Sequence, residues 1–600
     1  MKKVFLVGME EDKEETLKFL QETGVLHVEP VAKMSGEVEK RNAANLHEAR
    51  RVEQVYQSLN VLKTSQESIP APGAGDLLAE CEKALEELQD IKNRKKSLAK
   101  TLSDLSPWGD FDPSDMEDLE KEGIFVQRFR AEGMSLAEVS LPDDVYAEVV
   151  SEKPSLQFFT VSLGRPLDLP WATLLRHPEQ GLEKTRVELD RCGEREAQLA
   201  ERLATLSRRK GELKQRYLDL VTETNFTECL GTVYSEELLF GLQGWVPEDA
   251  ENALLNRIAV SDLALVVNTR DPVEDEEPPI LFKNNWFFRR IEPLLKLYGL
   301  PGYKDLDPSY FFAPFMILFF GICLGDAGYG LVFLLASVGI RKKFGHLSPA
   351  LGPVMRLCEA FSISAILVGL LTGSVFGLWV FSREWIMVDL DKDYGDPMVL
   401  FYASLGLGVI HLSLSYLMGI MQSSSKMGQL HRLGLLGVLW GGSCLISQRI
   451  WFSDPSVVMH QVLFYGGTGF LGIGVLLTFL CASDSRKVLV RIGLGLWSVY
   501  GLTTLVGDLL SYARLFGLGI ATTAIASVMN DLARMAHQGA GPIVGGIFGV
   551  LILILGHTFN LLLSILGSTV HSARLHFVEA FKSFFHNRGT EYKPFKVERG

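Results

Sequence analysis

An arginine lies near the middle of a long apolar segment in the second half of the chain. Arg514 follows LTTLVGDLLSYA and precedes LFGLGIATTAIASVM. A guanidinium stays protonated at every relevant pH, and its insertion at the centre of a bilayer costs roughly 2.5 to 3.5 kcal/mol. Helical spacing places Gly507, Ser511 and Gly517 close to its face, so a neighbouring helix can approach the charge. A carboxylate on that neighbouring helix would be the natural partner of Arg514, yet the nearby acids in this chain are few.

The acid nearest to this arginine in sequence is Asp508, which lies about 120° around the helix. An ion pair within the chain is the structural alternative to a functional role for Arg514. A second polar line, Asn560, Gly567, His571 and Arg574, shares one face of the next apolar segment. Arg574 is closer to the end of that segment and could be a snorkelling anchor. Glu579 follows and could be interfacial.

Charge divides the chain into two different halves. Positions 1 to 300 hold 56 acids against 38 lysines and arginines, whereas positions 301 to 600 hold 16 against 21. The apolar stretches occur in the second half. We therefore predict an acidic cytoplasmic domain over residues 1–300, a membrane domain over 301–586 and a cytoplasmic tail over 587–600.

The first half predicts α/β lobes joined by long helices. A short β-rich run, a helical pattern and a second apolar run form a βαβ-like opening. Apolar residues then recur at helical and heptad spacing in two Glu- and Lys-rich segments, which we expect to pair as a long antiparallel coiled coil. Such a rod could also be a solvated spacer or a dimerisation element. The predicted lobes cover about 1–35, 110–175 and 225–300, and the predicted helices cover about 37–105 and 181–225.

The second half predicts eight transmembrane helices, each long enough for roughly 30 Å of hydrocarbon. The first two share one run that GDAGYG breaks, so we expect a hairpin. The last two are too long for a perpendicular crossing and are expected to be long and tilted. The segments are Tyr310–Ile340 (two spans), Cys358–Phe381, Met398–Gln422, Leu430–Trp451, Val462–Ala482, Ile492–Met535 and Pro542–Phe585.

Loop charges predict the orientation of these spans, because cytoplasmic loops collect Lys and Arg. Arg341-Lys342-Lys343, Lys426 with Arg432, Arg486-Lys487 and the basic tail fall inside, and the acidic loop Ser382–Pro397 falls outside. Both termini are then cytoplasmic. The seven cysteines form no CxxC pair, so neither a disulfide framework nor a metal site is expected.

Several motifs give the chain a resemblance to the a-type stator subunit of V-type and V/A-type ATPases, called subunit I in prokaryotes. They are FGLQGWVP, YGLPGYKDLDPS, FFGICLGDAGYG, DLLSYARLFGLGIA and HSARLHFVEAFKSFF. The resemblance implies an ion-translocating subunit with no catalytic or nucleotide site of its own. It implies that Arg514 faces a rotor carboxylate as it passes between two half-channels, and that Arg574 assists.

The resemblance also implies the partners of the chain. They are a rotor ring of c-type proteolipid subunits, E/G-type peripheral stalk subunits, a d/C-type central stalk subunit, the ATPase head reached through the stalks, and the membrane. Neither a cofactor nor nucleic acid is expected. The transported ion, H⁺ or Na⁺, and the direction of operation, synthesis or hydrolysis, stay open.

The chain departs from its eukaryotic relatives at two positions. They carry a His eight residues after the first arginine and a Glu ten before the second, where this chain has Thr522 and Ser564. Other residues must then line the ion path. The chain also lacks a long loop after the third span, which suggests a bacterial or archaeal cell membrane. The candidates for the ion path are Glu579, His571, Asn560, His557, Asn530, Asp508 and Ser511.

Two other classes of protein make different predictions. A secondary transporter or channel with a cytoplasmic coiled-coil regulator predicts internal repeats, and we find none in the sequence. An enzyme with its own nucleotide site predicts GxxxxGK[ST] or GxGxxG, and neither motif occurs as required. The stator reading is therefore preferred, with the transporter as its alternative.

Overall fold

A computed structural model describes most of the chain and divides it into two compact units. One unit contains Met1–Val31 and Val233–Phe595, and the other contains Ala32–Thr232 and Lys596–Gly600. The acidic loop Ser382–Pro397 and Arg486, which entered the predicted orientation, lie outside the described residues. Those residues are 1–61, 77–131, 145–151, 156–175, 180–345, 351–379, 398–452, 454, 456–485, 487–539, 541 and 543–598.

The strands, in chain order, are β1 Lys2–Met9, β2 His27–Glu29, β3 Ile124–Ala131, β4 Tyr146–Ser151, β5 Leu156–Leu163, β6 Thr173–Leu175, β7 Tyr234–Glu236, β8 Leu239–Val246, β9 Leu265–Arg270, β10 Ser374–Val375 and β11 Leu378–Trp379. The helices are α1 Lys13–Thr23, α2 Gly36–Val61, α3 Leu77–Leu105, α4 Pro113–Lys121, α5 Leu182–Leu206, α6 Lys210–Thr232, α7 Glu248–Val260, α8 Glu292–Tyr298, α9 Ser309–Leu324, α10 Ala327–Phe344, α11 Leu351–Thr372, α12 Met398–Gln422, α13 Lys426–Trp451, α14 Val458–Leu480, α15 Val488–Tyr500, α16 Leu502–Leu510, α17 Ala513–Gly539 and α18 Val544–Arg574.

An antiparallel sheet of order β2-β8-β1-β9 forms the N-terminal α/β domain. Alternation along β1 buries Val4 and Leu6, which fixes the face that packs inward. The predicted βαβ-like opening is present in a split form, since β8 lies between β1 and β2 and pairs with both. Local sequence cannot predict this insertion, because β8 comes from more than 200 residues later in the chain.

The chain after the last helix packs along this sheet domain. Phe595 N donates to Leu26 O at 2.7 Å, and the Ile280 backbone pairs with Thr590 and Tyr592. Closer to α18, Gly589 N donates to Leu300 O at 3.1 Å. Residues 587–595 and the sheet are therefore parts of one folded unit.

The second unit contains a four-stranded antiparallel sheet, β4-β5-β3-β6, and four long helices. Helix α3 packs on α5, and α2 packs on α6. The ion pairs Arg94–Glu188 and Arg195–Glu87 connect α3 to α5 in opposite chain directions, so these helices are antiparallel. The coiled-coil geometry and the predicted domain boundaries stay predictions.

Six helical segments of the first unit are long and apolar enough to cross a membrane, among the residues described. They include 488–539 and 544–583, and Ser309–Leu324 is a shorter apolar helix. The run 310–340 breaks at Gly325, whose φ is +56°, and at Asp326, which caps α10 by accepting from Tyr329 N at 2.9 Å. The predicted count of eight spans and the tilt of the last two stay predictions.

Small residues bring helices α13 and α14 into close contact. A Cβ added at Gly474 would lie 2.6 Å from Val438 N, and one added at Gly441 would lie 2.5 Å from Leu471 N. Only glycine permits this backbone approach, which is the usual way that helices pair where the solvent is lipid.

The segment that carries Arg514 is not one continuous helix. It is interrupted at Gly501, between α15 and α16, and at Ser511 and Tyr512, between α16 and α17. Arg514 is therefore in the first turn of α17. Tyr512 is fully buried, and its hydroxyl lies 2.7 Å from His411 Nδ1 on α12, which fixes the chain at the second break.

Candidate functional site

Five charged residues lie together where α16, α17 and the end of α18 meet, and we call them the charged cluster: Asp508, Arg514, Arg574, Glu579 and Lys582. Arg514 Nη2 is 3.9 Å from Glu579 Oε1, and Arg574 Nε is 4.0 Å from the same oxygen. Both distances exceed hydrogen-bond length. Two arginines thus share one carboxylate without a direct hydrogen bond from either.

Two atoms at the centre of this cluster are buried and lack hydrogen-bond partners within the described part of the chain. They are Nη1 of Arg514 and Oε2 of Glu579. The Glu579 side chain is only 3% exposed, whereas the Arg514 side chain is 21% exposed. Glu579 is therefore enclosed by its own chain, while Arg514 keeps an open side towards the exterior.

A π-helical turn brings Glu579 to the arginines. Helix α18 ends at Arg574, and Leu575–Ala580 continues with π-type hydrogen bonding. In a π-helical turn the hydrogen bonds join residues five apart in sequence, so residues with this spacing lie on nearly the same face. An α-helix would carry Glu579 about 140° away from Arg574. The sequence left Glu579 as either an interfacial side chain or a residue of the ion path. This turn directs its carboxylate into the interior of the chain, and both assignments stay predictions.

The remaining acid of the charged cluster has a different partner. Asp508 is buried and forms a hydrogen-bonded ion pair with Lys582. It is therefore neutralised within the chain and does not pair with Arg514. Ser511, one helical turn later, donates its hydroxyl to Gly507 O at 2.9 Å. Counting formal charges over the five members leaves the charged cluster with one net positive charge.

Three of the predicted residues, Asn530, His557 and Asn560, meet with Tyr329 in a second group, which we call the amide–imidazole cluster. The His557 ring lies 2.7 Å from Tyr329 Oη through Nδ1 and 3.1 Å from Asn530 Oδ1 through Nε2. Asn560 Nδ2 donates to Tyr329 Oη at 3.0 Å. Asn530 Nδ2 in turn donates to Phe376 O at 2.8 Å. This cluster is neutral and hydrogen bonded throughout.

The two positions at which the resemblance implies a His and a Glu touch each other. The hydroxyls of Thr522 and Ser564 are 3.1 Å apart and both are buried. Asn560 Nδ2 donates to Thr522 O at 3.0 Å, and its Oδ1 accepts from Ser564 at 3.4 Å. This hydroxyl pair therefore adjoins the amide–imidazole cluster.

His571 belongs to neither hydrogen-bonded group. Its Nδ1 is buried without a hydrogen-bond partner among the described residues, as is the hydroxyl of Ser568 one turn earlier. Tyr329 and Lys582 were not named as candidates by the sequence analysis. The GDAGYG break could have drawn attention to Tyr329, but nothing local to Lys582 indicates an acid 74 residues earlier.

No group of three or more His, Cys, Asp or Glu side chains that could hold a metal ion occurs within the described ranges. The polar groups of the site are charged side chains, hydroxyls, amides and imidazoles.

These features define a multi-pass membrane protein with an N-terminal α/β domain and charged side chains enclosed among its apolar helices. No family model matches the chain. It is similar to A-type ATP synthase subunit I of Methanocaldococcus jannaschii, with 27% identity over 463 residues that cover 70% of this chain and 64% of that protein.

Two further relatives carry related names. V-type ATP synthase subunit I of Borreliella burgdorferi is 24% identical and aligns over 99% of both chains. A-type ATP synthase subunit I of Pyrococcus horikoshii is 29% identical over 60% of this chain and 54% of its own. The aligned region thus spans less than two thirds of the two archaeal relatives. The chain has homologues named A-type or V-type ATP synthase subunit I in archaea and spirochetes.

A solved structure was also matched, the crystal structure of the cytoplasmic N-terminal domain of subunit I, homolog of subunit a, of V-ATPase. It is 17% identical, covers 45% of this chain and all of that one, and has a TM-score of 0.19. A TM-score this low does not establish a shared fold.

Proposed function

We propose that this chain is the membrane stator subunit of a rotary V/A-type ATPase, which couples ATP hydrolysis or synthesis to ion transport. In this proposal the rotor ring of c-type subunits passes Arg514, and the N-terminal half is a collar that holds peripheral and central stalk subunits. The names of the relatives support the complex. The geometry of the charged cluster supports the role of the arginine.

The observation that carries the proposal is the incomplete pairing of Arg514. The Arg514 side chain is partly buried and its Nη1 is fully buried without a partner among the described residues, and taking a charge out of water costs several kcal/mol. Glu579 is too far to accept a hydrogen bond and is shared with Arg574. The cluster keeps one positive charge and one open side, so it is suited to a carboxylate that arrives from outside the chain.

A fixed cation at this place would couple ion release to the passage of each rotor carboxylate. It favours the ionised form of a rotor carboxylate, so an ion bound there is released as the carboxylate approaches. The same charge repels a free cation and blocks a direct leak between the two sides. Each rotor carboxylate must then take its next ion from the other half-channel.

Polar groups on both sides of Arg514 could form those half-channels. A cavity of about 590 Å³ is lined by Asp508, Lys582, Thr504 and His431, beside the charged cluster. We propose it as the half-channel on the side of the N-terminal domain, since Lys582 lies directly after α18 and immediately before the tail.

The other half-channel would follow one face of α18. His557, Asn560, Ser564, Ser568 and His571 recur at spacings of three and four residues, which is one helical stripe. The stripe covers about 25 Å from His557 to Arg574. It begins in the amide–imidazole cluster and ends at the charged cluster, so a proton could pass along it by exchange of hydrogen bonds.

The proposed orientation has support from the fold. Residues 587–595 pack on the N-terminal sheet, so an even number of crossings separates the two. Eight spans are an even number and place the sheet and the tail on the same side of the membrane. The basic last turn of α10, Arg341 to Lys343, favours the cytoplasm for that side.

The test is ATP-driven ion pumping by the assembled complex in reconstituted vesicles. We expect Arg514→Ala to abolish pumping while the complex still assembles, because the change removes the guanidinium whose Nη1 lacks a partner among the described residues, whereas Lys582 stays paired with Asp508 and Arg574 stays beside Glu579. Arg534→Ala is the matched control, since Arg534 is on the same helix but 65% exposed and paired only with Asp531 at 3.7 Å. Pumping at the normal rate by the Arg514 variant would refute the proposal.

A second measurement separates this function from the transporter alternative. Purification of the chain in mild detergent, followed by mass identification of the chains that accompany it, should yield rotor and stalk subunits. A homodimer alone would favour the transporter.

A further inference from the structure

The segment that enters the membrane domain carries an exposed aromatic and basic surface. It comprises Trp286, a 3₁₀ turn at Phe288–Arg290 and helix α8. Trp286 is 70% exposed, which is unusual for so large an apolar side chain. Neither the charged cluster nor the amide–imidazole cluster involves it.

This segment lies at the level where membrane helices begin and end. The Phe288 ring contacts Tyr310 in the first turn of α9, with ring centroids 4.6 Å apart. At the other end, Tyr298 stacks on Phe577 after α18, with centroids 4.1 Å apart. Because α9 starts and α18 ends here, the segment must lie at the boundary between lipid and water.

An aromatic row connects Trp286 to the first membrane helix. Trp286, Phe287, Phe288 and Tyr310 follow one another with ring centroids 6.1, 5.3 and 4.6 Å apart. Phe287 and Phe288 pack against the buried core, whereas Trp286 and Tyr310 remain exposed. Trp and Tyr are the residues that concentrate at membrane interfaces, because their rings are apolar with one polar end.

Basic side chains surround this row. The Arg290 guanidinium lies 4.6 Å from the Trp286 ring centroid, and Arg289 is exposed beside it. The 3₁₀ turn packs against α11, whose second turn carries Arg356. The nearest acid on α11, Glu359, is already paired with Arg341 at 2.6 Å.

We propose that Trp286, Arg289, Arg290, Tyr310 and Arg356 form a basic–aromatic rim that binds the headgroups of anionic phospholipids. The rings lie at the headgroup level and the three arginines contact lipid phosphates. Guanidinium groups suit this task because they bind phosphate oxygens in a bidentate manner. The inference needs only that the chain spans a membrane, so it does not depend on the proposed stator function.

The first experiment uses the full chain in nanodiscs of phosphatidylcholine mixed with phosphatidylglycerol. Native mass spectrometry after extraction counts the phosphatidylglycerol molecules retained. Each basic residue near a membrane surface contributes about fivefold to binding of anionic lipid, so the Arg289→Gln, Arg290→Gln, Arg356→Gln variant should lose affinity by on the order of 100-fold. The lysine counterparts should keep most of it, and Arg534→Gln should behave as the wild type.

A second experiment reports the depth of the tryptophan and does not depend on lipid counts. Brominated phosphatidylglycerol quenches indoles at the headgroup level, and Trp286→Phe should remove a part of the quenching that is seen in the wild type. If this variant and the wild type are quenched equally, Trp286 does not contact lipid and the rim is refuted.

Two further outcomes would overturn the proposal. Equal retention of phosphatidylglycerol by the wild type and the glutamine variant would show that the arginines do not select anionic lipid. Displacement of the lipid by inorganic phosphate at comparable concentration would show a free-phosphate site instead.

Discussion

The charged cluster and the amide–imidazole cluster are both enclosed among apolar helices, but their polar atoms are satisfied to different degrees. In the amide–imidazole cluster, contacts between polar atoms are 2.7 to 3.1 Å long. In the charged cluster, the contacts of the two arginines with Glu579 are 3.9 and 4.0 Å long, and a nitrogen of Arg514 has no partner in the described part of the chain.

The difference indicates which group is complete within this chain. A buried polar network is stable when each member has a partner, so the neutral cluster can hold helices together by itself. An incompletely paired buried charge is tolerated where function requires it. The charged cluster should therefore matter mainly for transport, and the amide–imidazole cluster should matter for stability as well.

Apart from Arg514→Ala, the largest effect is expected at Glu579. In the proposed function, Glu579→Gln would take the shared acid from the two arginines, so that they hold a rotor carboxylate more strongly. Two unit charges 4 Å apart interact by about 4 kcal/mol at an effective dielectric constant of 20. A third of this free energy already changes an equilibrium constant about tenfold. We expect ATP-driven pumping to fall at least about tenfold, with the complex assembled normally.

Glu591→Gln is the matched control for that change, because Glu591 is on the tail and forms an exposed ion pair with Lys296. It should pump at the normal rate. If Glu579→Gln also pumps normally, the acid shared by the arginines has no role in transport and the contrast between the clusters fails.

A smaller effect on transport and a clear effect on stability are expected at Asn560. Asn560→Leu removes the two hydrogen bonds that its side chain donates to Tyr329 Oη and Thr522 O. The free energy of unfolding in detergent should fall by about 1 to 3 kcal/mol. Phe559→Leu is the control, since Phe559 is 64% exposed on another face of the same helix, and equal stability losses in both would contradict the proposed network.

The smallest effect is expected at the hydroxyl pair. Thr522→Ala removes the contact with Ser564 and should lower the free energy of unfolding by about 0.6 kcal/mol, the typical value for a side-chain hydrogen bond within a membrane. Thr523→Ala is the matched control, because its hydroxyl bonds only to Gly519 O of the same helix. A double-mutant cycle with Ser564→Ala measures the coupling, and zero coupling would show that the pair contributes nothing.

Sequence analysis predicted features that depend on local composition. The apolar segments, the break at Gly325 and Asp326, and the N-terminal α/β domain follow from hydropathy and turn chemistry, and the structure contains all three. The position of Arg514 near the middle of an apolar segment is equally visible in the sequence, since a charged residue there interrupts a run of apolar residues.

The contacts within the site depend on long-range packing and could not be read from sequence. The π-helical turn that carries Glu579 inward has the composition of an ordinary helix end. The Asp508–Lys582 pair joins two helices that are close only after folding. The break before α17 depends on the buried contact of Tyr512 with His411, which lies 101 residues earlier. Each of these features determines which acidic side chain lies close to which basic side chain.

The tail that runs from α18 along the N-terminal sheet has a mechanical consequence. In the proposed function, a turning ring would drag on the helix that faces it, and a helix anchored at one end only would bend under that torque. Here the chain after α18 is tied through Gly589 to Leu300 and through Phe595 to Leu26 beside the N-terminal sheet. A load on the Arg574 helix would then be shared by a closed frame, which would keep the surface around Arg514 rigid.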